Sequence, residues 1–239
     1  MLDNYVVIDL EMTGLNAKTD KIIELGAVRI RNGKKAETFS LIVNPKRELS
    51  EQITELTGIT NEMVQQGEDE DTAVARFLDF LEDDVLVGQN LIFDYGFLKQ
   101  WAVNHKQPLE KYAVDTLKLA RKFLPEEQKK NLESLCEYFK ITRQNAHRAL
   151  DDAIETWQIF EKLKELYAES APEAFEAKLL LYKAKKQSPA TAQQLRYLKQ
   201  LIEFHGIEDF EIPENITKSE ASKLTDKLIL QYGKMPHRE

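Results

Sequence analysis

Two carboxylates close the first apolar run of the chain. In VVIDLEMTGL, residues 6–15, Val6, Val7, Ile8 and Leu10 read as a strand bound for a core, with Asp9 and Glu11 at its end. Side chains alternate along a strand, so residues two apart share a face and these acids point the same way. Like charges that close repel; either the pair sits at the wet end of the sheet or a cation holds it together. More chemistry of this kind follows. Asp94 comes shortly after a buried strand in VLVGQNLIFDYGFL, and HRALDDA sets Asp151 and Asp152 at the start of a helical pattern with His147 just ahead. Residues at strand ends and helix starts converge at the rim of a sheet, where the backbone is rigid. Converging carboxylates are hard oxygen ligands suited to magnesium or manganese, and without thiolates or several histidines zinc is a poor candidate. Two such ions about 3.5–4 Å apart clamp the attacking and leaving oxygens of an in-line phosphoryl displacement. A histidine of ordinary pKa, about 6.5, takes the proton from the attacking water. The assembled chemistry is metal-dependent hydrolysis of a phosphodiester.

Each feature alone has a plainer role. An acid pair solvates a loop, Asp94 caps the helix it opens, His147 is a helix-start residue, and Asp151-Asp152 suits the positive end of a helix dipole. These roles do not explain why all three acidic places fall at strand or helix ends in one domain. Helical periodicity sets Asp152 opposite a Leu150, Ile154, Trp157 stripe and does not itself choose it over Asp151.

The elements that must position these residues follow from pattern. Strands are expected at Tyr5–Leu10, Ile22–Arg31 and Thr38–Val43, the last two joined at Asn32-Gly33, a dipeptide suited to a tight hairpin. Residues 50–67 read as two short helices broken at Gly58, and Thr72–Leu81 as an amphipathic helix. A short strand, Val85–Val87, precedes a helix from Asp94 to about Asn104, and YAVDTLKLARKFL passes from strand to helix at Asp115 or Thr116. Helices Leu132–Phe139 and Ala149–Tyr167 follow. A meander followed by strand and helix in alternation argues for an α/β fold with a mixed central sheet flanked by helices. After Pro172 the pattern becomes purely helical: Leu195, Leu198 and Ile202 keep helical spacing, Gly206 ends that helix, and Thr217 with Glu220 forms a capping box for the last one. The boundary is placed near 170, with domains at 1–170 and 171–239.

Composition sets the remaining bounds. The chain has 239 residues, 42% hydrophobic and 31% charged, as expected of a soluble globular protein. With no basic leader or long apolar stretch, a cytoplasmic protein without membrane contact is expected. The single cysteine, Cys136, reads as a buried helix residue. The net charge of −8 is uneven: residues 171–239 hold 11 Lys+Arg against 10 Asp+Glu, and no acid interrupts the run from Lys178 to Lys199. That cluster suits phosphate contact or a solvated helix face. No P-loop or Gly-x-Ser-x-Gly stretch occurs.

In its ordered motifs the sequence resembles the DEDDh branch of the DnaQ-like 3′–5′ exonucleases, the family that includes proofreading subunits and domains of bacterial replicative polymerases. DLEMTGL is similar to the first family motif, NLIFDYGFL to the second, and HRALDD has the His-x-Ala-x-x-Asp form of the third. ELTGITNEMV and DTLKLAR also fit, so the likeness covers residues 3–167. The resemblance implies a ribonuclease H-like fold, two divalent metal ions (Mg2+ or Mn2+), and release of nucleoside 5′-monophosphates from the 3′ end of single-stranded or frayed DNA. It nominates His147 as general base, Asp9, Asp94 and Asp152 as ligands of one metal, and Asp9 with Glu11 for the other; its register selects Asp152 over Asp151. It sets the backbone at Met12 and Thr13 against the 3′-terminal sugar, Leu15 and Phe97 against the terminal bases, and Asn90 among the substrate contacts. Met12 stands where many proofreading members have Thr or Ser, as in oligoribonucleases, and Gln89 where a histidine is common, so an RNA-trimming enzyme is the alternative. A non-catalytic nucleic-acid or replication-partner module is a further one, against which the intact acids argue. A DNA polymerase is the partner the resemblance suggests. The tail matches no module.

Overall fold

The acids of the first run lie on β1 (Tyr5–Met12), which occupies the middle of the sheet. The structure is a computed structural model that describes residues 2–143, 147–207, 210, 212–213 and 216–235; residues 144–146, just ahead of His147, fall outside. β1 pairs antiparallel with β2 (Ile22–Arg31), which pairs antiparallel with β3 (Lys34–Asn44). The hairpin turn falls at Asn32-Gly33, both left-handed with φ of 52° and 71°. Beyond β3 the helices α1 (Glu51–Thr57) and α2 (Asn61–Gln65) flank Gly58, whose φ of 68° ends the first. β4 (Glu68–Asp69) then pairs parallel with β3 and leads into α3 (Glu70–Leu81). On the other side of β1 lies β5 (Leu86–Gly88), parallel, followed by α4 (Ile92–Asn104). β6 (Tyr112–Asp115) continues the sheet in parallel and passes into α5 (Thr116–Phe123), with the Asp115 carboxylate capping the Leu117 N–H. Helices α6 (Leu132–Phe139) and α7 (Ala149–Tyr167) complete this part, with Cys136 buried on α6. The fold is the expected mixed α/β sheet flanked by helices.

Alternation along β1 divides the core. Val6, Ile8 and Leu10 join one cluster with Phe77, Tyr95 and Leu98 of α3 and α4, whereas Tyr5 and Val7 face Phe160 and Leu163 of α7. Asp9 and Glu11 continue the second face, so they emerge on the α7 side.

The purely helical reading after Pro172 needs correction. Lys178–Leu179 form an additional strand, β7, antiparallel to β6, and the sheet order is β4-β3-β2-β1-β5-β6-β7. Phe175 is buried beside Phe160 and Phe123, and Leu180 and Tyr182 pack on the α4 side. A segment this short has no period of its own; its pairing partner is more than sixty residues away in sequence. Replacing Phe175 by Ala is expected to cost about 3–5 kcal/mol, read as a lower urea midpoint; an unchanged midpoint would detach this segment from the core. Beyond it, α8 (Ala192–Phe204) and α9 (Lys218–Tyr232) begin with capping boxes at Thr191 and Thr217 and pack on each other through Leu198, Leu201 and Leu228. Among the described residues no helix is long and apolar enough to cross a membrane.

Candidate active site

The link between β5 and α4 is pinned before it delivers Asp94. The Gln89 amide donates to the Lys130 carbonyl at 2.7 Å, and the Asn90 N–H donates to Asp115 Oδ1 at 3.1 Å. Asn90 is left-handed, φ 59°, a conformation its short polar side chain tolerates. Asp94 then falls in the first turn of α4, and its Oδ1 accepts the Leu10 N–H at 2.9 Å. That bond ties the acid to β1 between Asp9 and Glu11.

The start of α7 is fixed just as firmly. Glu24 stands opposite Glu11 in the β1–β2 register, is 1% exposed, and accepts the Ala149 N–H at 3.0 Å and the Arg148 guanidinium at 2.8 Å. Gly26 stands opposite Asp9, and a Cβ there would lie 2.2 Å from the Ala149 carbonyl carbon. Only a residue without a side chain lets α7 sit this low over the acids. Gly26→Ala is therefore expected to lose about 1–3 kcal/mol of stability from overpacking. By shifting Asp152 and His147, it should also lower kcat by about 10²-fold in the folded protein. Parental turnover in a folded variant would show that the seat of α7 is not critical.

His147 precedes the helix in a left-handed conformation, φ 61°, and non-glycine residues held this way concentrate at functional sites. Ligand atoms of Glu11, His147 and Asp152 all lie within 4.8 Å of one another. Asp152 belongs to the buried face of α7, with Ala149, Ala153 and Thr156, whereas Leu150, Ile154 and Trp157 are only partly covered. The apolar stripe read from sequence is thus not the face that meets the sheet. Small residues at 149, 153 and 156 mark the buried face that Asp152 shares, and Ala149 lies directly over Gly26. Sequence reading also missed Glu24, Arg148 and Arg143; the Arg143 guanidinium bridges Asp152 at 2.8 Å and buried Glu155 at 2.7 Å. A charged residue inside the apolar run IIELGAV was the one visible hint of Glu24.

The electrostatics are those of crowded acids. Burial, then the charges of Asp94, Asp152, Glu11 and Glu24, hold Asp9 well above the usual carboxylate range. Burial and the neighbouring carboxylates raise Glu11 to about 8, and burial lifts Asp94 to about 7. Asp152 is raised by burial and pulled back by Arg143. A hard, oxygen-rich donor set whose charges oppose each other fits a divalent cation such as Mg2+ or Mn2+.

The nominated substrate contacts divide. Met12 ends β1, and Thr13 closes the following loop, its N–H donating to the Lys21 carbonyl and its Oγ1 accepting the Lys21 N–H, both at 2.9 Å. Leu15 stands 73% exposed on that loop. Phe97 is 5% exposed within the core beside Leu98 and Trp101, whereas Phe93, one turn earlier and next to Asp94, is 39% exposed.

Carboxylates converging with an imidazole at the strand ends of this sheet define a nuclease of ribonuclease H-like fold. The family described as "Exonuclease" (RNase_T) matches residues 6–160, and the chain belongs to it. Among curated relatives, the PolC-type DNA polymerase III of Clostridium perfringens is 40% identical over 167 residues, 68% of this chain and 12% of the relative. That of Caldanaerobacter subterraneus is 34% identical over 238 residues, 95% of this chain and 17% of the relative. The chain thus spans under a fifth of these relatives. The nuclease domain of 3′hExo, a DEDDh family member bound to rAMP, superposes with a TM-score of 0.63 at 19% identity, covering 75% of this chain and 98% of that one. Exonuclease X in complex with 5′ overhanging duplex DNA gives 0.57 at 24% identity, covering 71% and 96%. These two share the fold.

Proposed function

We propose that the protein is a metal-dependent 3′–5′ exonuclease that releases nucleoside 5′-monophosphates from single-stranded or frayed DNA, in proofreading or repair, in the cytoplasm. The approach of Glu11, His147 and Asp152 to within 4.8 Å, with Asp94 tied to β1 beside them, carries this reading. Asp9, Glu11, Asp94 and Asp152 would hold two divalent ions, Mg2+ or Mn2+. When bound, these supply Lewis-acid polarisation of the phosphoryl group and a more acidic water. His147 takes the proton of the attacking water as its oxygen bonds to phosphorus and the bond to the 3′ oxygen breaks. The loop at Met12 and Thr13 receives the terminal sugar, Asn90 lines the site, and Leu15 offers an apolar surface on which any base can rest. Phe97 lies within the core, and Phe93, beside Asp94 in the chain, is the exposed aromatic of that turn. Residues 1–170 carry the chemistry, and the 171–239 extension completes the sheet edge and braces the rim through Lys223 with Asp20 and Glu220 with Arg47. The PolC relatives support a DNA polymerase as partner, and the likeness to that of Caldanaerobacter subterraneus reaches across the extension.

The test is a 5′-labelled single strand incubated with Mg2+ or Mn2+, with DNA and RNA of one sequence compared at equal concentration. A descending ladder with mononucleotide release, absent under chelation and faster on DNA, is expected. An intact strand across neutral to alkaline pH overturns the nuclease reading; faster RNA trimming overturns the DNA assignment.

A further inference from the structure

Between β7 and α8 the chain runs extended, without helix or strand of its own from Leu180 to Ser188, yet it is tied down along its length. Tyr182 lies so close to Gly96 of α4 that a Cβ there would stand 2.9 Å from its ring. The Lys185 carbonyl accepts the Gln100 amide at 2.9 Å, and the Gln187 N–H donates to Asn104 Oδ1 at 3.1 Å. The Gln187 side chain then donates to the carbonyl of Lys18. This strap therefore crosses the helix that carries Asp94 and ends on the loop that follows Glu11.

Its charge is left uncompensated. Lys183, Lys185, Lys186 and Lys18 are exposed, and among the described residues none of their side chains makes a hydrogen bond or ion pair. No acid occurs between Glu176 and Glu203 in a chain of net charge −8. Other cations on the same rim are neutralised: Lys21 by Glu70, Arg47 by Glu220, Lys223 by Asp20. A merely solvated basic face needs no fixed backbone. Fixing an extended segment costs conformational entropy, and here it holds bare positive charge against the helix that carries Asp94 and the loop that follows Glu11.

We infer that the strap is a second nucleic-acid contact. Lys183, Lys185 and Lys186, with Lys18, follow the phosphates of a single strand upstream of the 3′-terminal nucleotide. The inference rests on the exonuclease reading for its location and on the unpaired lysines for its chemistry. Contacts remote from the reacting phosphodiester and equal in ground and transition states lower KM without changing kcat, and a substrate too short to reach them is indifferent.

The experiment compares the full chain with K183Q/K185Q/K186Q and with K34Q/K35Q, a control that removes two exposed lysines on the hairpin at the far end of the sheet. Binding is read by fluorescence anisotropy on an Asp9→Asn background, so that it does not depend on turnover. For a strand longer than about 16 nucleotides, the triple variant binds about tenfold more weakly at low salt. Its slope of log affinity against log salt shrinks by about 2, as three lost phosphate contacts require. In the Asp9 protein, KM for the long strand rises while kcat and KM for a dinucleotide stay at parental values, and the control matches the parent throughout. Unchanged affinity and salt slope would overturn the inference, as would an equal loss on duplex and single strand. Degradation with unchanged binding leaves the nuclease reading standing without the strap; weakened binding with no degradation by any form does the reverse.

Discussion

Replacement of His147 by alanine is expected to lower kcat by about 10²–10⁴-fold near neutral pH, the contribution of a positioned general base. The protein should stay folded, because His147 sits on a turn ahead of α7 and not within the core. Stabilisation by divalent cations should persist, since four carboxylates are left to hold them. Asp9→Ala is the contrasting variant: it should remove turnover and most of the cation-induced rise in melting temperature together. The pair is read by single-turnover release of mononucleotide alongside melting curves with and without Mg2+. Parental turnover in the His147 variant would take the imidazole out of the chemistry. Loss of cation stabilisation in it would make His147 a ligand instead.

The metal-free protein is expected to lose stability as pH rises from about 5 to 8. Four acids of the site are displaced upward: Asp94 to about 7, Glu11 to about 8, with Asp9 and Asp152 above their ordinary values. The unfolded chain releases these protons near pH 4, whereas the folded chain keeps them longer. A state that binds more protons is favoured by acid, so the fold is penalised progressively between those limits. The size is on the order of a few kcal/mol over the whole site. Bound Mg2+ or Mn2+ favours the ionised forms, so cation stabilisation should grow over the same interval. Asp94→Asn sharpens the test. The amide oxygen can still accept the Leu10 N–H, so the variant should be more stable than the parent at pH 8 without metal, yet inactive. A metal-free melting temperature that climbs between pH 5 and 8 would contradict the crowding of charge at this site.

Where local chemistry decides an element, the residues announced it. Asn32-Gly33 gave the hairpin, Gly58 the break between α1 and α2, and the Thr191 and Thr217 boxes the starts of α8 and α9. The sheet carries β1 two residues beyond Leu10 because Glu11 and Met12 still pair with β2, and the charge at Glu11 ends the apolar run before the pairing ends. Hidden features are those whose partners are distant. β4 and β7 are two residues each and exist because of β3 and β6. Glu24 and Arg148 meet across more than a hundred residues. In α4 the buried side chains go nearly all the way round, from Tyr95 through Trp101, so pattern alone could not tell whether Phe97 faces a base or the core. The candidate acids stood out because their order along the chain is specific; how α7 is seated over Asp9 depends on Gly26, whose partner Ala149 is more than a hundred residues away.

The far strand of the sheet has a practical consequence for anyone shortening this polypeptide. β7 covers the otherwise open side of β6, where the Leu180 N–H also donates to the Lys111 carbonyl at 2.9 Å and Tyr112 is 55% exposed. A fragment cut after Ser170 would bare a row of unsatisfied amides and carbonyls next to an aromatic ring, the kind of margin along which molecules stick together. Solubility, sooner than chemistry, would then set the minimal usable length, and a cut beyond Gln187 keeps that margin sealed.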